Sequence, residues 1–349
     1  MAMGRRRGEE QGALWIAAGD LPRSGGHPFY LQVNKILDAG GFDGFVEERC
    51  RAFYADKLGR PSLAPARYFR MLLIGYFEGI DSERGIAWRL ADSLGLRRFL
   101  GYALTDETAD HSTISRTRRL IDAETHQEIF VWVLQVLAKH KLLEGKTAGV
   151  DATTLEANAA LRSIVRRDTK ESYQEFLTRL AQASGIETPT REDWVRIDKN
   201  RKNKGSNDDW EHPHDPDAKI TKMKDGRTHL AHKAEHAVDM QTGAIMAVTL
   251  QPADRGDTTS IEKTIDQADK NLVAVMKDEK ACAQLSEQVL REVVADKGYH
   301  SNAVLKDHHE REIRTYISEP NRGERNWKDD AEAKVAVYGN RRRIRSERG

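Results

Sequence analysis

The chain has 349 residues, 39% hydrophobic and 32% charged, with a mean hydropathy of −0.68. That length suits two or three domains, and that composition suits a polar globular chain with a buried core, which excludes a disordered chain. Lys plus Arg number 56 against 55 for Asp plus Glu, so net charge names no partner, and two cysteines (Cys50, Cys282) exclude a disulfide framework or a C-x-x-C metal site.

In chain order, residues 1–29 are Gly- and Arg-rich at their start and are expected to be flexible. They lack the apolar stretch of a secretory leader, and no run reaches the roughly 18–20 apolar residues of a membrane span. A cytoplasmic location and no membrane partner are therefore expected. From Asn34 to Leu58 the pattern predicts short helices broken at Gly40-Gly41. Pro65 opens an amphipathic helix with Tyr68, Leu72, Ile74 and Phe77 on its apolar face, and Ser82 caps another that runs through Leu90. Asp110 begins a third helical stretch. A long helix follows from about Ala123 to Leu143, with Ile129, Val133, Val136, Leu137 and Leu143 on one face. Residues 30–145 thus read as an all-helical domain.

The pattern changes at Lys146. The segment from Thr147 is β-branched and small and reads as a strand, and residues 160–225 read as a polar helical and loop insertion. Two strands flank the turn Gln241-Thr242-Gly243 as a hairpin. Residues 257–290 are helical with polar interruptions. A strand over Arg291–Asp296, a helix over Asn302–Arg311 and a strand over Ile313–Ser318 complete a mixed α/β sheet across 146–349.

Asp151 and Asp296, 145 residues apart, interrupt or end short apolar strands. An aspartate there is costly to bury without compensation, although a strand-end Asp also serves as a cap or turn residue. A pair of strand-borne carboxylates brought together can hold hard divalent cations through oxygen, and such ions activate a nucleophile and stabilise a phosphoryl leaving group.

The ordered segments Gly59–Tyr102, Asp110–Ile121, GVDATTLEANAA, DPDAKITKMKDGRTHLAHKAEHAVDMQTGAI and VVADKGYHS resemble the DDE transposases of bacterial insertion sequences. The resemblance covers roughly residues 30–349. It implies a helical DNA-binding domain followed by a ribonuclease-H-like catalytic domain. It also implies Asp151 and Asp296 as the first two acids of the triad and as ligands of Mg²⁺, with Mn²⁺ a substitute. The implied partners are DNA, both terminal inverted repeats and target, and a second copy of the chain as a homodimer on DNA. The implied location is the bacterial cytoplasm, at the nucleoid when bound. In the family the third acid is a glutamate beyond an arginine-rich stretch. Here Glu347 is the carboxylate in that region, but the family position lies further on, so the third acid is unassigned and the expectation is a C-terminally truncated, catalytically incomplete domain. A non-catalytic DNA-binding remnant and a metal-dependent nuclease of the same fold are the alternatives.

Between Arg60 and Arg119 there are ten arginines, seven acids and no lysine. The pattern suits phosphate contacts or an ordinary solvated face. The capped segment bearing Arg116, Arg118 and Arg119 is similar to the second helix of a helix-turn-helix. Arg341, Arg342 and Arg343 form a second basic run suited to phosphate. His229, His232 and His236 invite a metal reading. On a strand, however, the first two face opposite sides and the last two lie about 13 Å apart, so no shared metal site is expected.

Overall fold

The computed structural model describes residues 28–55, 62–201, 205–321, 323, 327 and 330–346, so most of the expected flexible N-terminus lies outside it. The chain divides into two compact units, one ending at Ile129 and one beginning at Phe130. The division falls inside a helix ahead of Lys146. Among the described residues no helix is long and apolar enough to cross a membrane.

The first unit is helical. α1 (Pro28–Ala39) and α2 (Phe42–Cys50) are separated by Gly41, whose φ of 68° is a conformation that favours glycine. α3 (Pro65–Glu78) starts with Pro at its first turn, α4 (Glu83–Ala91) is capped by Ser82 and α5 (Leu94–Phe99) by Ser93. α6 (His111–Leu120) and the first half of α7 (Ala123–Lys139) follow. The α3 face differs from expectation. Tyr68 and Ile74 are buried with Met71, but Phe77 is 42% exposed and Leu72 only half-buried. Arg70, by contrast, takes a place in the interior. Its guanidinium reaches Asp43 (2.8 Å), Asp38 (3.1 Å) and Asn34, tying α1 and α2 to α3.

The second unit is built on a mixed sheet. Its elements are β1 (Thr147–Glu156), β2 (Val165–Arg166), α8 (Tyr173–Ala183), α9 (Arg191–Asn200), β3 (Trp210–Glu211), β4 (Lys219–Lys222), β5 (Thr228–Asp239) and β6 (Ile245–Pro252). They continue with α10 (Asp257–Met276), α11 (Glu279–Cys282), β7 (Glu292–Ala295), α12 (Asn302–Glu310), β8 (Arg314–Ile317) and α13 (Ala331–Ile344). The sheet runs β4-β5-β1-β7-β8, with β6 also paired to β5. β5 is antiparallel to β1, β4 and β6, whereas β7 is parallel to both β1 and β8. This is a ribonuclease-H-like mixed sheet following a helical N-terminal region. Ala148, Val150, Ala237, Val293 and Ile317 share one face. They form a core with Ile261, Ile265 and Leu272 of α10, Leu305 of α12 and Val337 of α13.

Between β1 and β5, the 160–225 stretch carries its own small core of Ile164, Phe176, Leu177 and Trp210 beside the β2–β3 ladder. α7 stops at Lys139, short of the expected Leu143, because Lys141 takes a φ of 61° and turns the chain; Leu143 is still buried in the sheet core. The 257–290 stretch is more regular than expected, with α10 running uninterrupted for 20 residues.

The outer edge of β8 is closed by side chains rather than by a strand. Asn340 accepts from the Ile317 N–H (3.1 Å) and donates to its carbonyl (2.8 Å), and the Arg343 guanidinium donates to the Thr315 carbonyl (2.9 Å). Asn340 is fully buried. Asn340→Ala leaves a buried donor and acceptor unmet, and a loss of about 2–4 kcal/mol is expected in the unfolding of this unit by denaturant titration.

Candidate active site

Parallel pairing of β1 with β7 sets Val150 opposite Ala295. Asp151, midway along β1, and Asp296, directly after the last residue of β7, are the next residues of the two strands, where neighbouring backbones lie about 4.8 Å apart. Both are exposed. One oxygen of each is held by backbone: Asp151 Oδ1 accepts from the Ala152 N–H (2.8 Å) and Asp296 Oδ1 from the Gly298 N–H (2.7 Å). No hydrogen bond to the second oxygen of either occurs among the described residues. Two such oxygens suit a hard divalent cation, which takes the rest of its shell from water or phosphate oxygens. These two residues therefore fit a metal of the kind the sequence implies.

A third ligand does not join them among the described residues. Among the described residues no group of three His, Cys, Asp or Glu side chains is arranged to hold a metal ion. Glu347 lies outside the described residues, and Glu319 is paired with Arg341. The histidines have separate partners. His229 lies between Glu156 (2.7 Å) and Asp225 (2.9 Å), and His232 meets Asp215 (3.1 Å).

Beneath the aspartates is a buried polar network that sequence reasoning missed. Lys233 and Glu235, two apart on β5, share the core-facing side of the sheet and are 5% and 0% exposed. Lys233 Nζ lies 2.6 Å from Asp257 Oδ1 and 2.7 Å from Ser260 Oγ. Glu235 accepts from Ser260 (2.6 Å), Thr264 (2.5 Å) and the Tyr299 hydroxyl (3.0 Å). Burial, and then the Glu235 carboxylate, push the Tyr299 phenol far above its ordinary range, with Asp257 and Asp151 adding to the effect. The available signal was a Lys and a Glu at period two among the alanines of β5.

The arginines divide by environment. Arg341 is clamped by both oxygens of Glu319 (2.5 and 2.9 Å) and Arg343 by Thr315, while Arg342 between them is exposed. On α6, Arg118 pairs with Glu83 (2.8 Å), and Arg116 folds back onto Ser112 and Thr113. Arg119 is exposed with no partner among the described residues. Elsewhere Arg67 and Arg97 are spent on carbonyls of the α5–α6 connection.

Asp110 caps α6, accepting from the Thr113 N–H (2.7 Å) and the Ser112 hydroxyl (2.9 Å). The backbone bond, and then the hydroxyl, lower its pKa from 3.8 to about 2. A depressed carboxylate contributes stability that is complete above its unfolded value and is lost as the pH falls through the folded one. The cap should therefore persist from pH 3.8 down to about 2. The Thr113 amide shift is expected to titrate with the lower midpoint; a midpoint at the unfolded value would contradict the cap.

Residues 21–120 match a family model described as a transposase domain (DUF772), and residues 207–348 match one described as a transposase DDE domain. Asp296 lies within the second match and Asp151 precedes it. No curated protein and no solved structure matches the chain.

Proposed function

Since the chain belongs to the DDE transposases of insertion-sequence type, we propose that it binds the terminal inverted repeats of its element. We further propose that it directs metal-dependent DNA cleavage and strand transfer through Asp151 and Asp296. Membership implies DNA as substrate and a divalent metal; Mg²⁺, with Mn²⁺ able to substitute, is the ion proposed here. The observation that supports the reading most directly is the β1–β7 register, which carries two acceptor-only side chains out of adjacent strands at one level. When bound, the ion would polarise a phosphoryl oxygen and lower the pKa of an attacking water. The protein's own contribution is position: β1 carries Asp151, the end of β7 leads into Asp296, and backbone amides fix one oxygen of each. The proposed working form is a homodimer on DNA, acting at the nucleoid in the cytoplasm.

DNA contact is proposed through α6 and α13. Arg119 and Arg342 are the exposed candidates, Arg116 and Arg118 can be released from weak surface contacts, and Arg341 and Arg343 support α13 from within. Arg119→Ala is expected to weaken binding of end-containing duplex evenly across sequences and to lower the salt slope by about one, read by anisotropy at several salt concentrations.

Asp151→Asn and Asp296→Asn should each reduce Mg²⁺-dependent cleavage at least about a hundredfold while leaving duplex binding in EDTA unchanged. Equal cleavage by the Asp151→Asn chain would remove it from the site. A second reading, DNA binding without completed transposition, is favoured because, among the described residues, no three His, Cys, Asp or Glu side chains are grouped to hold a metal ion. On that reading the 349-residue chain shifts end-containing duplex but yields no strand-transfer product in Mg²⁺ or Mn²⁺. Efficient transfer in either metal, abolished by Asp151→Ala, would overturn it.

A further inference from the structure

The turn that carries Asp296 is gripped from two sides by groups outside the acidic pair. A 3-10 turn, Lys297–Tyr299, follows Asp296 directly, and Tyr299 is buried with its hydroxyl on Glu235 (3.0 Å). Glu235 belongs to β5, the strand next to β1, and its other donors, Ser260 and Thr264, belong to α10. On the other side, Gly298 lies against Asp257 at the start of α10. A Cβ on Gly298 would stand 2.7 Å from Asp257 Oδ2 and 2.9 Å from Asp296 Oδ1, so the two carboxylates approach one point from either side of the glycine. Asp257 is itself held by the buried Lys233 at 2.6 Å.

We propose that Lys233, Glu235, Asp257 and Tyr299 are positioning residues of the metal site, locking the 296–299 turn so that Asp296 presents its free oxygen in line with Asp151. The proposal rests on the metal reading above. An isolated buried lysine with two carboxylates is costly to desolvate. Three hydroxyl donors (Ser260, Thr264 and Tyr299) and two ion pairs (Lys233 with Glu235 and with Asp257) offset that cost here, joining β5 to α10 and to the turn. Carboxylates that orient a metal ligand from behind typically change metal affinity by about 10–100-fold when altered.

The test uses the full chain without DNA. Mn²⁺ is titrated by calorimetry, with Asp151→Asn defining the heat that belongs to the site, and amide exchange of residues 296–300 is followed by mass spectrometry. Tyr299→Phe removes one hydroxyl, and Asp257→Asn removes one charge at constant shape. Each is expected to weaken Asp151-dependent Mn²⁺ binding about tenfold and to speed exchange at 296–300. Should either variant fail to fold, Gly298→Ala perturbs the same contact from the turn side, at a position with an ordinary backbone angle. A lowered melting temperature with unchanged Mn²⁺ affinity would assign the network to stability alone and overturn the proposal, as would faster exchange without a change in affinity. A wild-type chain that shows no Asp151-dependent heat would overturn the metal reading itself, before any network variant is compared.

Discussion

Parallel hydrogen bonding between β1 and β7 decides where the rest of the second unit must go. Parallel neighbours cannot be joined by a tight turn and need a crossover connection. The chain leaves β1, forms the antiparallel β5–β6 pair, and returns along α10 before β7 can be laid down. α10 therefore covers the β5–β6 side, and α12 and α13 follow on the same apolar face. Asp151 points to the opposite face and is exposed there, as is Asp296, and so both acidic residues stand open to solvent.

The electrostatics of this arrangement are layered. Acidic groups in contact with solvent sit above a set in which the one buried lysine, Lys233, faces two carboxylates, Glu235 (3.6 Å) and the partly exposed Asp257. Hydroxyls from Ser260, Thr264 and Tyr299 satisfy the remaining carboxylate lone pairs, as a water-poor interior requires. A cation arriving from solvent meets negative charge first, because the positive group is already committed inside.

Much of this was legible in the sequence because it depends on local chemistry. Pro65, Ser82 and Asp110 mark helix starts by satisfying or avoiding orphan amides, and Thr242-Gly243 marks the hairpin. The two aspartates stood out because carboxylates are rare on apolar strands. What could not be read depends on distant partners. Arg70 looks like any surface arginine until α1 and α2 bring Asp38 and Asp43 to it. Arg341 and Arg343 look like a solvated basic run until Glu319 and the edge of β8 capture them. Lys233 and Glu235 read as surface alternation, because only the sheet order shows that β5 is interior.

The insertion between β1 and β5 bears on the order of assembly. Its small core draws on residues from Ile164 to Leu230 of β5 and closes with that strand, whereas Asp151 must wait for β7 and for Asp296, 145 residues later. Contacts between such distant segments close slowly and late. On a ribosome the helical unit, β1 and the insertion emerge first, in the N-to-C order of synthesis. A nascent chain can thus complete its helical unit while Asp151 still lacks its neighbour on β7, and the two aspartates meet only once most of the protein has left the exit tunnel.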